Sequence, residues 1–245
     1  MHRRYNSERC KRTPLLFTLL SVLWLSGCAA QATSSPGADD SAVEAYTQLG
    51  VAYLERDNLS RALNALDRAL QIAPEHSEAL QAIALVYQRQ GESALADEYF
   101  QRALRAEPNF TRARNNYAAF LYDQARFKQA CEQLEQASQD AQYANRTQLF
   151  TNLGQCYLAL NETEAARTSL QRAQQIDPRN PRGYLMLAEL EYSQGNYQRA
   201  RQPLETFLRL AGPNQMALSM AIDIAHAEGD HAQAADYQRQ LDALR

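Results

Sequence analysis

The sequence predicts an all-α fold, a solenoid of about six helix-turn-helix units. Three observations predict it. From Val43 onward, large apolar and small residues recur with a period of 34. Turn residues divide each period near its middle, at Arg56-Asp57-Asn58, Gln90-Gly91-Glu92, Gln194-Gly195-Asn196 and Glu228-Gly229-Asp230. Proline closes three of the periods, at Pro74, Pro108 and Pro178. Glycine ends a first helix by accepting a left-handed conformation. Proline stops the second because it lacks the donor and clashes with the preceding turn. A unit this small cannot bury its apolar face alone, so neighbours must stack.

The units follow in order. Unit one (43–76) carries Tyr46, Leu49, Gly50, Tyr53, Ala62, Leu66, Ala69 and Pro74. Unit two (77–110) repeats them as Leu80, Ile83, Ala84, Tyr87, Ala96, Phe100, Ala103 and Pro108. Unit three (111–146) has Tyr117, Ala118, Leu121, Ala130, Leu134 and Ala137, without the proline and with two residues inserted near Gln142 to Arg146. Unit four (147–180) has Phe150, Leu153, Gly154, Tyr157, Ala166, Leu170, Ala173 and Pro178. Unit five (181–214) has Tyr184, Leu187, Ala188, Ala200, Leu204 and Phe207, with Glu191 where a tyrosine is usual. Unit six (215–245) is degenerate, with Leu218, Ala221, Ile222, Ala225, Ala234 and Leu241. The polar outer face of its second helix serves as a cap. This pattern resembles the tetratricopeptide repeat. The resemblance implies a right-handed superhelix whose first helices line a concave groove.

Ahead of the repeats, Arg3, Arg4, Arg9, Lys11 and Arg12 precede an apolar run from Leu15 to Leu25. That run is shorter than the roughly 20 residues a bilayer-spanning helix needs. A charged start, a short apolar run and small residues at its exit make a secretory signal, here residues 1–27. Leu25-Ser26-Gly27-Cys28 then resembles the bacterial lipobox at all four positions. That resemblance implies cleavage before Cys28 and acylation of Cys28 on its thiol and new amine. Two or more acyl chains give stable anchoring. Ala29, where an inner-membrane lipoprotein carries aspartate, implies sorting to the outer membrane with the soluble part facing the periplasm. Residues 28–42 read as a small, polar, flexible tether, with a reach of roughly 20 Å.

Removing residues 1–27 takes five Lys/Arg and one Glu from the chain's 25 basic and 28 acidic residues, leaving 20 basic and 27 acidic. Lys128 is then the only lysine. Such a body is unsuited to nucleic acid, whose phosphates call for clustered basic residues, and carries no polybasic membrane patch. Of the four cysteines, Cys10 leaves with the signal and Cys28 is the lipid site. Cys131 and Cys156 fall at helical core positions and read as two buried thiols, although an oxidising compartment permits a bridge.

Core residues occupy positions 4, 7, 8 and 11 of each unit, and positions 2, 5, 9 and 12 form a second stripe by helical phase. In the repeat family that stripe faces the groove. Val51, Leu54, Leu85 and Tyr122 are apolar there, and an exposed apolar patch rimmed by polar groups suggests a partner site. The expected partner groove comprises Val51, Leu54, Leu85, Gln88, Arg112, Asn115, Tyr122, Leu158, Leu185 and Tyr192. Asn115 and Asn116 suit hydrogen bonds to a partner's backbone, and Asn116 equally suits the bracing of neighbouring repeats. Arg112 and Arg182 are too sparse for a carboxylate clamp.

Catalytic features do not stand out: there is no nucleophile-base arrangement, phosphate-binding glycine loop or carboxylate pair. The expectation is a non-enzyme without cofactor, small-molecule substrate or metal. Asp223, His226, Asp230 and His231 do not share one helical face, which a metal cluster there would need.

A narrower resemblance lies in units three and four. Asn115-Asn116-Tyr117-Ala118-Ala119-Phe120-Leu121-Tyr122, then Ala137-Ser138-Gln139-Asp140, Tyr143, Arg146 and Asn152-Leu153-Gly154 resemble the type IV pilus biogenesis and stability lipoproteins of the PilF/PilW type. The departure is Ala118-Ala119 in place of paired glycines. The resemblance implies a pilotin, which helps the pilus secretin reach the outer membrane and multimerise there. The alternative is a general periplasm-facing scaffold for other envelope or cell-wall complexes.

Overall fold

A computed structural model describes residues 36–244 of the chain. The signal, the lipid site Cys28 and Ala29–Ser35 of the expected tether lie outside the described residues. Compactness divides the chain into residues 1–41 and 42–245. The helical repeats occupy the second part, and only their first helix begins ahead of the boundary.

Twelve helices run in order among the described residues. They are α1 (Pro36–Glu55), α2 (Leu59–Ile72), α3 (Ser77–Gln90), α4 (Ser93–Ala106), α5 (Thr111–Asp123), α6 (Phe127–Ser138), α7 (Arg146–Ala159), α8 (Thr163–Ile176), α9 (Pro181–Ser193), α10 (Tyr197–Ala211), α11 (Gln215–Ala227) and α12 (His231–Asp242). The 34-residue period thus resolves into six pairs. One expectation fails at the start. Residues 36–42, read as flexible tether, are helical. Pro36 fixes its φ at a helical value where its missing donor costs nothing, and Asp39 in the first turn faces the positive end of the helix dipole.

From α3 onward each first helix packs on the second helix of its own unit, each second helix packs on the next first helix, and Gly50 of α1 lies against Leu66 of α2. Small residues set the approach. A Cβ on Gly50 would lie 2.5 Å from Leu66 Cγ, and one on Gly154 would lie 2.7 Å from Leu170 Cγ and Cδ2. Ala84, Ala118, Ala188 and, from the second helices, Ala62, Ala96, Ala130, Ala166 and Ala200 are fully buried. Phe100, Phe120, Leu66, Ile83, Leu170 and Leu204 fill the space between. Position 7 shows why stacking matters. Ile83, Tyr117, Leu153 and Leu187 are buried, and Ile83 packs with Ala62 and Leu66 of the unit before it. Leu49, expected in the core, is 44% exposed. The described residues offer it no preceding second helix.

The turns inside the units obey one geometry. Asp57, Gly91, Ala125, Asn161, Gly195 and Gly229 occupy the same repeat position, and all six have positive φ, from 55° to 79°. The residue after each donates its N–H back across the turn to a carbonyl in the last turn of the first helix: Asn58 to Tyr53, Glu92 to Tyr87, Arg126 to Leu121, Glu162 to Tyr157, Asn196 to Glu191 and Asp230 to Ala225. This is the Schellman closure, which satisfies carbonyls that the helix end leaves open.

Unit three lacks the terminal proline, and Asp140 does its work. Its Oδ2 accepts from Thr111 Oγ at 2.7 Å and its Oδ1 from the Gln142 N–H at 2.9 Å, tying the inserted segment to the start of α5. The Thr111 bond, then that of Gln142, holds the Asp140 carboxyl below its ordinary pKa. Flanking this segment, Cys131 of α6 and Cys156 of α7 are bonded, with Cα atoms 5.6 Å apart. The reading as two free thiols is therefore corrected. Their positions face one another across the contact between α6 and α7, a juxtaposition that separation along the chain does not reveal.

Candidate functional site

Successive first helices lie side by side: α3 with α5, α5 with α7, α7 with α9 and α9 with α11. Their shared face carries two depressions. The larger, about 560 Å³, is lined by α1, α3 and α5, with Val51, Ala52, Leu54, Ala82 and Leu85 as floor and Glu44, Glu55, Glu78 and Arg112 at the rim. The smaller, about 280 Å³, lies between α5, α7 and α9, with Ala118, Ala119 and Tyr122 against Gln148, Asn152, Gln155 and Arg182.

Polar contacts join neighbouring first helices along this face. Arg112 Nη2 donates to Glu78 Oε1 at 2.7 Å. Asn152 Nδ2 donates to Asn115 Oδ1 at 3.3 Å. Arg182 donates to Asn152 Oδ1 at 3.4 Å and to Gln155 Oε1 at 2.6 Å. Tyr192 O–H donates to Asp223 Oδ2 at 2.7 Å, and that bond, then burial, raises the phenol's pKa. Glu189 stands in the same stripe, and burial raises its pKa.

The structure redistributes the ten expected groove residues. Val51 is 37% exposed and lies in the larger depression. Leu85 and Arg112 line it too, Leu85 half-buried and Arg112 exposed. Leu54 reaches its wall but is only 7% exposed, because its side chain packs into the core of units one and two. Its expected solvent exposure is corrected. Tyr122 lines the smaller depression, its ring 5.0 Å from that of Phe127. Asn115 is buried and braces α5 against α7, so its amide is not presented to a partner. Leu158 packs against the cluster of Ala166, Leu170, Leu187 and Leu190. Leu185 and Tyr192 pack against that of Tyr184, Ala188 and Leu204. Gln88 is half-buried and lines neither depression.

One set of lining residues lies outside the expected stripe, and of these the sequence points only to Asn116. Gln48 and Ala82 line the larger depression with Asn116, and Asn152 lines the smaller. All four stand at position 6. That position is turned only about 40° from position 2 on a helix of 3.6 residues per turn, so a wider stripe includes it.

An apolar floor with a mostly acidic rim has the make-up of grooves that take up protein segments. Comparison with known proteins points the same way. The tetratricopeptide repeat family matches residues 43–76, 77–110, 121–181 and 157–217. The type IV pilus assembly protein PilF of Pseudomonas aeruginosa is 35% identical over 237 residues, covering 95% of this chain and 93% of its own. A solved structure of Pseudomonas aeruginosa PilF superposes with a TM-score of 0.75 at 36% identity, over 84% of this chain and 93% of that one. PilW, described as a widely conserved type IV pilus biogenesis factor, shares the fold with a TM-score of 0.69 at 24% identity, over 82% of this chain and 92% of its own.

Proposed function

Because the chain belongs to the PilF-type family of tetratricopeptide-repeat proteins in type IV pilus biogenesis, we propose that it is an outer-membrane lipoprotein acting as the pilotin of the pilus secretin. Acyl chains on Cys28 supply the address, and the face of the first helices supplies the grip. The observation that carries the reading is the apolar floor at Val51 and Leu85, open to solvent between units one and two, in a chain whose residues 25–28 match a lipobox. A segment of the secretin subunit lying on that floor removes from water the apolar surface that Val51 and Leu85 still expose.

Two variants test the two halves separately. Cys28→Ser should leave the protein away from the outer membrane and lower secretin multimers. Val51→Glu should keep the protein folded and in place but abolish recovery of the secretin from detergent-solubilised envelopes. Val51 is the better probe than Leu54, whose side chain belongs to the core. Normal multimers and normal twitching in Cys28→Ser would remove the pilotin reading.

A further inference from the structure

His76 stands between two carboxylates that come from different units. Glu44 projects from α1, and Glu78 lies in the first turn of α3, which His76 itself caps. A ring nitrogen of His76 and one carboxylate oxygen of each glutamate all lie within 4.8 Å of one another. Glu44 is exposed and the other two are half-buried, so the cluster is open to ions. Among the described residues, no other group of three His, Cys, Asp or Glu side chains brings its donor atoms this close. We propose that Glu44, His76 and Glu78 form a binding site for a divalent transition-metal cation, of which zinc is the representative, joining unit one to unit two at the rim of the groove.

The donor set fits that class. One imidazole nitrogen and two carboxylate oxygens provide three protein ligands and leave a position for water, which is the pattern of an open zinc site. Imidazole favours the transition metals over magnesium and calcium, which take oxygen donors. Each carboxylate is already oriented through one oxygen. Gln48 Nε2 donates to Glu44 Oε1 at 2.6 Å, and Arg112 Nη2 to Glu78 Oε1 at 2.7 Å. The other oxygen of each remains for the cation.

The surroundings of the imidazole add a second, independent reason. His76 Nδ1 lies 3.4 Å from Thr47 Oγ1 and 3.3 Å from the Ala79 N–H. The Thr47 hydroxyl gives its own hydrogen to the Val43 carbonyl at 2.8 Å, so towards the imidazole it can only accept. Ala79 N–H can only donate. The two contacts therefore require opposite tautomers of one ring. With Nδ1 protonated, the ring donates to the buried Thr47 and Nε2 keeps the lone pair that a metal needs. That outer hydrogen bond is the one metal-ligating histidines make as a rule. If the cation takes Nε2, it selects this tautomer and ends the conflict at the expense of one long capping bond.

Arg112 is the opposing influence, since its charge lies beside Glu78 and repels a second cation. The experiment is calorimetric titration of the chelator-stripped full chain with zinc chloride, with thermal unfolding in zinc and in chelator alongside. The expected result is one equivalent bound and a Tm raised by zinc. Affinity should fall about tenfold or more in His76→Asn, Glu44→Gln and Glu78→Gln, and rise several-fold in Arg112→Gln. Asparagine retains the helix cap, so His76→Asn separates loss of the ligand from loss of the fold. The double variant His226→Gln/His231→Gln should bind as the parent does. No heat and no Tm change up to millimolar zinc would overturn the site. So would binding that persists in His76→Asn and Glu78→Gln, or that disappears with His226 and His231.

Discussion

The Arg167 guanidinium on α8 donates to the Glu191 carboxylate on α9, and their side chains are only 13% and 3% exposed. Glu164 pairs with the same guanidinium, and Asn196 Nδ2 donates to Glu191 Oε2 at 3.0 Å. The Glu191 bond, then that of Glu164, raises the Arg167 pKa. Glu191 occupies the repeat position where Tyr157 of the preceding unit reaches Glu135 on α6 at 2.9 Å. The role is shared, a side chain grasping the preceding second helix, but in unit five an ion pair fills it.

Breaking that pair from one side should be severe. Arg167→Ala leaves a carboxylate buried without its cation, and a loss of about 3–5 kcal/mol is expected. Arg167→Met combined with Glu191→Leu removes both charges and should lie much nearer the parent. Urea unfolding of the two variants checks the contrast.

The bridge between Cys131 and Cys156 closes a segment with a sequence separation of 25. By the chain-entropy relation a loop of that size contributes about 3.5 kcal/mol. Reduction, or the pair Cys131→Ser/Cys156→Ser, should shift the urea midpoint down accordingly. A variant with an unchanged midpoint would show that packing of α6 on α7 alone holds the two units.

Ala125 holds a φ of 57° at the turn position where three other units have glycine. A side chain there costs roughly 1–2 kcal/mol through its Cβ. Part of that gain returns to the unfolded chain when glycine replaces alanine. Ala125→Gly should therefore stabilise the chain by up to about 1 kcal/mol, seen as a higher Tm. Asp57→Gly and Asn161→Gly should gain less, because those residue types enter the left-handed region more readily.

Alkaline pH should weaken the stack. Burial, then the hydrogen bond to Glu135, pushes the Tyr157 phenol up to about 12, against about 10 for a free tyrosine. The folded state holds the proton more tightly, so the stabilisation is fully present below pH 10 and is lost as pH rises from about 10 to about 12. Tyr117, raised by burial and by its bond to Asp97, adds in the same direction. Tyr157→Phe should flatten the fall in urea midpoint across that window.

The repeat was legible because a single 34-residue period fixes helix, turn and small-residue positions together, and all six turns keep it even where glycine is replaced. What failed was what depends on neighbours. Leu49 and Leu54 exchange their expected environments, because burial at their positions is set by which unit stands alongside. Asn115, Arg112 and Arg182 looked free and are engaged across adjacent first helices. The bond between Cys131 and Cys156, and the meeting of Glu44 with His76, join residues from different helices, far apart in the chain. Helical phase within one helix cannot see such meetings.

The cystine also ties the molecule's sturdiness to its surroundings. A freshly made copy in a reducing compartment lacks the fastening between its third and fourth units, and so yields more readily to being unthreaded. After an oxidant has acted, the same polypeptide resists proteases and pulling forces more firmly. One covalent bond thus sets how firmly the two units hold together, without any change in the amino acids themselves.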